Sequence, residues 1–379
     1  MKKKRAAWIL AVCMGLSMLT GCQGEQQKIY EQAGTDLEQG SYEAALSGYE
    51  ASIANEVNLP QSYRGAGIAN LRMGNYEAAI ENFTSALNCE KVSKSLGQDI
   101  LSYRITAEIK AEMYEEAMAD CQTMAQEYTM DADGYYLAGT VALAMDSYDE
   151  AMSNFDEAYV EEPTYDMAIQ IYQAYVERDM EADGTRYLEA ALETEPKEAQ
   201  DYCDRGRVYY YMQDYSKAQE ELIEAANNES TEALLLLGMV YLASDDVSNA
   251  RAMYQQYTTA EGESASGYNG LALCDIAEGN YSSALTNIST GLPLATDEEM
   301  KDLLFNEIVA YEKMLDFSTA QQKAQEYLDM YPDDEAVQKE LVFLNSRTGN
   351  TAASQETGEG STQDTAATET EGTVQEAVQ

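Results

Sequence analysis

Apolar residues recur along this chain at intervals of three and four, and the whole pattern returns about every 34 residues. In the segment GNYEAAIENFTSALN, Tyr76 is followed by Ala79, Phe83 and Ala86, which share one face of a helix. The spacing predicts nine units of two helices each. We call the Tyr76 position the marker; its equivalents are Tyr42, Tyr114, Tyr148, Glu181, Tyr215, Val247, Tyr281 and Phe317.

Small residues accompany the markers. Three residues after the marker stands alanine in eight units and glycine in the fifth. Nine residues before it, six units have Ala33, Gly67, Gly139, Gly206, Gly238 and Ala272. Because helix axes approach to about 8–10 Å where side chains are small, we expect small residues to face small residues across each hairpin. Large side chains seven residues after the marker would fill the space beside these contacts.

The period, the G-x-Y-x-x-A motif with its following aromatic and second alanine, and Pro163, Pro196 and Pro332 after three units resemble the tetratricopeptide repeat. The resemblance extends over residues 26–332. It implies an all-α fold, a right-handed α-solenoid of about nine helical hairpins. The fifth unit departs most from the pattern. Residues 333–346, with Ala336, Val337, Leu341, Val342 and Leu344 on an apolar face, predict a C-terminal capping helix, so the solenoid is assigned to residues 26–346.

The first residues have the layout of an export signal. A basic segment at residues 2–5 precedes an apolar run that ends at Leu19. The sequence Leu19-Thr20-Gly21-Cys22 resembles the lipobox of bacterial lipoproteins, which implies cleavage before Cys22 and a lipid on its sulfur. Residues 1–21 would then be a signal peptide and residues 22–25 a lipidated linker, with the protein anchored outside the cytoplasm on the bacterial cell membrane. An ordinary signal peptide that ends near a cysteine is the alternative.

The last segment, residues 347–379, consists mainly of threonine, glutamate, glutamine, alanine and glycine. It has too few large apolar side chains to bury a core, and it is therefore predicted to be a disordered tail.

Charge restricts the partners. The chain has 68 acidic and 23 basic residues, a formal charge of −45, and four of the basic residues belong to the leader. A surface this negative repels phosphate backbones, so nucleic acid is not expected as a partner. Protein or peptide partners that are neutral or basic are favoured, together with a membrane reached through the lipid anchor.

The candidate chemistry is sparse because the chain contains no histidine. This removes histidine-based general bases and the commonest metal ligand, so we expect no catalytic residue, no metal site, no cofactor and no enzymatic activity. A carboxylate pair in a dry cleft would be the remaining route to catalysis. Cys89, Cys121, Cys203 and Cys274 are widely spaced and predicted to be small buried residues, although pairing between them stays open.

In the tetratricopeptide family the first helix of each unit lines the concave face, and the resemblance carries this role to the first helices here. Their exposed stripes mix tyrosine, aliphatic and a few basic side chains, as protein-binding surfaces do. Core packing for the tyrosines and ion pairs for the arginines are the alternative interpretations. The predicted groove consists of Arg64, Ile68, Arg72, Lys110, Tyr136, Arg207, Tyr210, Met239, Asn269 and Phe305.

Two functions are consistent with these features. The first is a scaffold or assembly factor at the cell envelope that binds proteins or peptides along the first-helix face. The alternative is a receptor for a cell-wall fragment or small ligand. An open, tyrosine-lined face favours the scaffold, whereas one deep closed pocket favours the receptor.

Overall fold

The computed structural model describes residues 24–332 and 334–349, which fold into helices joined by short turns. The predicted signal peptide, Cys22 and the part of the predicted tail from residue 350 onward lie outside the described residues. Within them, no helix combines the length and the apolar character needed to cross a bilayer.

The helices pair into nine hairpins within residues 24–332, and a further helix follows them. This confirms the all-α hairpin array. The first helices are α1 (24–38), α3 (Leu59–Arg72), α5 (Lys94–Lys110), α7 (Ala132–Ala144), α9 (Tyr165–Val176), α11 (Ala199–Tyr211), α13 (Thr231–Ala243), α15 (Ala265–Ala277) and α17 (Asp297–Lys313). The second helices are α2 (Tyr42–Ala54), α4 (Tyr76–Leu87), α6 (Tyr114–Glu127), α8 (Tyr148–Glu161), α10 (Glu181–Ala191), α12 (Tyr215–Asn227), α14 (Val247–Glu261), α16 (Tyr281–Gly291) and α18 (Phe317–Met330). A 3-10 turn at Leu292–Leu294 follows α16, and α19 spans Glu335–Thr348.

Every marker residue is the first residue of a second helix. Two residues before each marker, the described backbone has a positive φ, from 56° at Asp146 to 79° at Gly279. The next residue donates its N–H back to a carbonyl near the end of the first helix, as Asn75 does to Asn70 at 2.9 Å. This Schellman-type closure ends one helix and starts the next. Glycine occupies the positive-φ position in only three of the nine described turns, at Gly40, Gly74 and Gly279.

The hairpins pack small residues against large ones. A Cβ built on Gly67 would lie 2.5 Å from the ring of Phe83, and one on Gly139 would lie 2.6 Å from the ring of Phe155. The first residue of each pair precedes its marker by nine and the second follows it by seven. The expectation that small residues face small ones is therefore corrected: the missing side chain on the first helix makes room for the large one on the second.

The chain divides into two compact units. Within the described residues, the first comprises 24–167 with 174–179, and the second comprises 168–173 with 180–332 and 334–349. First unit and second unit hereafter mean these two compact units and not the repeats. Helices α1–α8 belong to the first and α10–α19 to the second. The division falls in the fifth hairpin, where Glu181 and Gly184 replace the usual aromatic residue and alanine.

The cysteines behave as the sequence predicts. Cys121, Cys203 and Cys274 are buried and Cys89 is half-buried, and all four are free thiols. Burial raises the pKa of the Cys121 and Cys274 thiols to about 12, so these side chains are protonated and unreactive at neutral pH.

Helix α19 packs on α18 and covers the end of the second unit. Val337 and Leu344 are fully buried against Ile308 and Ala324 in the last hairpin. Val342, expected on the same apolar face, is 70 % exposed, because it lies on the opposite side of the helix. The helix ends at Thr348, and Gly349 follows it with φ 76°.

Candidate protein-binding face

Arg64 lies on the predicted binding face in the first compact unit, but its side chain is already bound by other residues of this protein. Its guanidinium forms an ion pair with Asp99, with Nη2 2.9 Å from Oδ1, and lies 5.0 Å from the centroid of the Tyr103 ring. The hydrogen bond to Asp99 raises the pKa of Arg64, so the group stays charged. Because Arg64 is on α3 and Asp99 on α5, the pair connects the first helices of consecutive hairpins.

The other predicted residues of α3 and α5 divide between core and surface. Ile68 is 7 % exposed and packs with Phe83 and Ile100, so the structure corrects its assignment to the groove. Arg72 and Lys110 are exposed in the last turns of their helices. Both cations lie where the helix dipole is negative, a position that stabilises them without any partner.

A cleft opens between α5 and α7 in the first unit. It has a volume of about 520 Å³ and is open to solvent. Of the predicted groove residues, Tyr136 lines it: its ring centroid is 5.9 Å from that of Phe155, and burial raises the pKa of its hydroxyl. The lining consists of Ser95, Gln98, Asp99, Ser102, Tyr103, Thr106, Asp131, Asp133, Tyr136 and Leu137.

One rim of the cleft is fixed by polar contacts between α5 and the start of α7. Asp131 is the N-cap of α7, and its Oδ1 accepts the Gly134 N–H at 2.9 Å. Its Oδ2 accepts a hydrogen bond from Gln98 Nε2 at 2.7 Å, and the same amide donates to the Thr129 carbonyl at 3.2 Å. The cleft is therefore preformed rather than dependent on a mobile loop.

Of this lining, the predicted groove contains only Tyr136, although helical spacing also places Asp99, Ser102 and Thr106 on the exposed stripe of α5. Ser95 and Gln98 were missed, and they continue that stripe toward the start of α5 at three- and four-residue steps. Asp131 and Asp133 attract attention in the sequence as a partial calcium-loop motif, but within the described residues no group of three or more cysteine or acidic side chains is placed to hold a metal ion.

In the second unit, Arg207, Tyr210 and Met239 come together as the helical register predicts. They line a small cavity of about 50 Å³ with Tyr211 and Leu236. Arg207 Nη1 lies 3.2 Å from Asp204 Oδ1. Burial raises the pKa of Tyr210 to about 12, and its ring centroid lies 5.8 Å from that of Tyr211. The group forms an aromatic patch on α11, but its cavity is too small for a ligand.

Asn269 and Phe305, farther along the second unit, both take part in packing. Asn269 Oδ1 accepts a hydrogen bond from Asn306 Nδ2 at 2.8 Å, which joins α15 to α17. Phe305 is half-buried against the cluster around Ile308 and Tyr327. Similar polar pairs join neighbouring first helices at Arg64–Asp99, Gln98–Asp131, Gln200–Glu232 and Ser266–Glu299.

The hairpin geometry agrees with comparisons of the sequence with known families. A tetratricopeptide repeat family model matches residues 30–93 and 203–266, which cover α2–α4 and α12–α14 with parts of their neighbours. The match identifies tetratricopeptide repeats in these two segments. Tetratricopeptide hairpins form protein-interaction scaffolds, and that is the general role of this fold.

Individual relatives are distant in sequence. The BBSome complex member BBS4 homolog of Drosophila melanogaster is 23 % identical over 258 residues, 67 % of this chain and 47 % of that protein, so the chain spans about half the length of this relative. A tetratricopeptide repeat protein from Parabacteroides merdae is 18 % identical with a TM-score of 0.40, covering 66 % of this chain and 98 % of the other. PilF of Pseudomonas aeruginosa is 17 % identical with a TM-score of 0.34, covering 56 % of this chain and 97 % of the other.

Proposed function

We propose that this chain is a lipoprotein, anchored through Cys22 to the outer side of the bacterial cell membrane, that binds proteins or peptides along its first-helix face. It would act there as a scaffold or assembly factor. The observation that carries the binding role is the preformed cleft between α5 and α7. Tyrosine rings, hydroxyls and carboxylates converge there around about 520 Å³ of open space.

The composition of the cleft suits a peptide. Tyr103 and Tyr136 provide flat apolar surface with a polar tip, and Ser102, Thr106 and Gln98 provide groups that can hydrogen-bond to a peptide backbone. Such a mixture of aromatic anchors with a polar surround is typical of interfaces that bind partners specifically.

The alternative, a receptor for a cell-wall fragment or small ligand, draws support from the same volume. Small-molecule sites commonly enclose about 300–1,000 Å³. They bury most of their ligand under apolar walls, however, whereas this cleft is open and largely polar. The scaffold is therefore the function that the geometry favours.

Membrane attachment is tested by Cys22→Ser. Removing the thiol removes the site of lipid attachment, and two acyl chains anchor a protein far more firmly than the polypeptide alone. We expect the variant to move from the membrane fraction to the aqueous fraction after cell fractionation and Triton X-114 partitioning. Cys89→Ser, at a half-buried thiol of the solenoid, should remain with the membrane. Persistence of Cys22→Ser in the detergent phase would contradict the lipid anchor.

Partner binding is tested by photocrosslinking in intact cell envelopes. We expect p-benzoylphenylalanine at Thr106, inside the cleft, to form discrete crosslinked products that disappear when the soluble segment from residue 23 onward is added as a competitor. The same probe at Glu150, exposed on the second helix α8, should form few. Equal products at the two positions, or none at Thr106, would contradict binding at the first-helix face.

A further inference from the structure

We infer that the cleft between α5 and α7 binds a lysine or arginine side chain of a partner peptide. The inference rests on the proposed function and specifies the chemistry of its ligand. We call the first helices of two consecutive hairpins a step. The chain's own arginine occupies the step from α3 to α5, whereas the step from α5 to α7 contains the open cleft.

In the filled step, Arg64 of α3 reaches Asp99 of α5. Arg64 precedes its marker by twelve residues, and Asp99 precedes the next marker by fifteen. The guanidinium is bound through Nη2 to Asp99 Oδ1 at 2.9 Å and lies 5.0 Å from the Tyr103 ring centroid. Carboxylate and aromatic ring together make this place suitable for a cation.

In the next step, from α5 to α7, the corresponding residues are Ser102 and Asp133. Asp133 retains the carboxylate, but serine replaces arginine, and its hydroxyl donates to the Gln98 carbonyl of its own helix at 3.2 Å. Within the part of the chain that the structure describes, Asp133 forms no ion pair. The cleft of about 520 Å³ lies between these helices. By repeat register it lies at the step where the preceding pair of helices holds the Arg64 guanidinium, although Leu137 stands here at the position of Tyr103.

The charges around the cleft favour a cation as well. Asp99, Asp131 and Asp133 line it, and no lysine or arginine is among its described lining residues. Arg64 neutralises Asp99, whereas Asp131 is bound by the neutral groups of Gln98 and Gly134. Asp131 and Asp133 thus have no ion-pair partner among the described residues, and the rings of Tyr103 and Tyr136 line the same cleft. A ligand cation would gain both a charge partner and an aromatic surface.

The test uses the soluble segment from residue 23 onward and fluorescein-labelled tetralysine in fluorescence anisotropy, with labelled tetraglutamate for comparison. Asp133→Asn removes the charge partner, and Ser102→Arg fills the cleft with a guanidinium from the chain itself. We expect each variant to weaken tetralysine binding about five- to tenfold, and tetraglutamate not to bind.

Two matched controls separate the cleft from the general negative charge of the chain. Asp149→Asn and Ser153→Arg make the same changes at exposed positions of α8. They should change the tetralysine Kd less than twofold. An equal loss in all four variants, or an unchanged Kd in both cleft variants, would overturn the inference. If Ser102→Arg alters the melting curve, Asp133→Asn alone decides the outcome.

The tetralysine measurement and the crosslinking experiment can fail independently of each other. Competed crosslinks at Thr106 together with an unchanged Kd for Asp133→Asn would retain the protein-binding face and reject the cationic ligand. Loss of tetralysine binding in Asp133→Asn without crosslinks at Thr106 would retain the cation site and reject the proposed function.

Discussion

Replacing Tyr254 with alanine is expected to lower the free energy of unfolding by about 3–5 kcal/mol. The side chain is 1 % exposed, and its ring lies between Gly238 of α13 and Gly270 of α15. A Cβ on Gly238 would lie 2.5 Å from the ring, and one on Gly270 would also contact it. The ring therefore joins two consecutive hairpins. Neither glycine has a side chain that could move into the cavity that alanine would leave.

Urea unfolding followed by far-ultraviolet circular dichroism measures this effect, since the chain's single tryptophan, Trp8, lies in the predicted leader, far from Tyr254 in the sequence. Tyr254→Phe keeps the ring and should change the free energy of unfolding by less than about 1 kcal/mol. Tyr148→Ala, at a marker tyrosine that is 49 % exposed, provides the surface control. A loss in Tyr254→Phe as large as in Tyr254→Ala would show that the hydroxyl, rather than ring packing, is responsible.

Replacing Arg104 with methionine is expected to destabilise the first unit by about 3–5 kcal/mol at pH 8. Arg104, on α5, binds Asp120 of α6 through Nε at 2.5 Å and Nη2 at 2.7 Å, and donates to Thr84 of α4 at 3.1 Å. Its Nε is also 3.8 Å from Glu108. Asp120 is 8 % exposed and Glu108 is 5 % exposed. Methionine retains most of the apolar stem but leaves two buried carboxyl groups without a cation.

The loss should diminish as the pH falls. Burial, and then the charge of Asp120, raise the pKa of Glu108 to about 8, well above that of an exposed glutamate. The unfolded chain therefore binds fewer protons than the folded chain between about pH 4.5 and 8, and stability falls as the pH rises through this window. Without Arg104 the carboxyl group of Glu108 loses the cation that lowers its pKa, so the variant should show a steeper pH dependence.

Urea midpoints at pH 5.5 and pH 8 test this prediction. Arg72→Met, at an exposed arginine at the end of α3, should change stability by less than about 1 kcal/mol at both pH values. Because methionine keeps most of the stem, a loss of equal size at pH 5.5 and pH 8 would assign the role of Arg104 to its hydrogen bonds with Asp120 and Thr84 rather than to the charge of Glu108.

Much of the fold could be predicted from the sequence, because each hairpin depends on spacings between nearby residues and these spacings are repeated. The marker register predicts the nine hairpins, and each described second helix begins at its marker residue. The alanines three residues later are fully buried, from Ala45 to Ala320. Helical periodicity decides which residues point inward, and nine repetitions of the same spacing make the signal unambiguous.

The turns and the buried faces of the helices were harder to predict from the sequence. Six of the nine described positive-φ residues before the markers are not glycine, Leu315 among them, so composition alone does not reveal these turns. Ile68 belongs to the predicted stripe by periodicity, yet the neighbouring α5 covers it through Ile100. Val342 has the expected apolar character but points away from the last hairpin. For Ile68 and Val342, the position of the neighbouring helix determines whether the side chain is buried.

The sequence by itself determined the repeat, its register and the buried small and large positions, because these follow from spacings within a single hairpin. Only the tertiary structure decided which surface residues meet. Arg64 and Asp99 are 35 residues apart and form a pair, whereas the equivalent step to Asp133 leaves an open cleft because Ser102 is too short to reach across it. The physical reason is that a contact between hairpins depends on the reach and charge of two side chains at once, and no spacing within one helix encodes that combination.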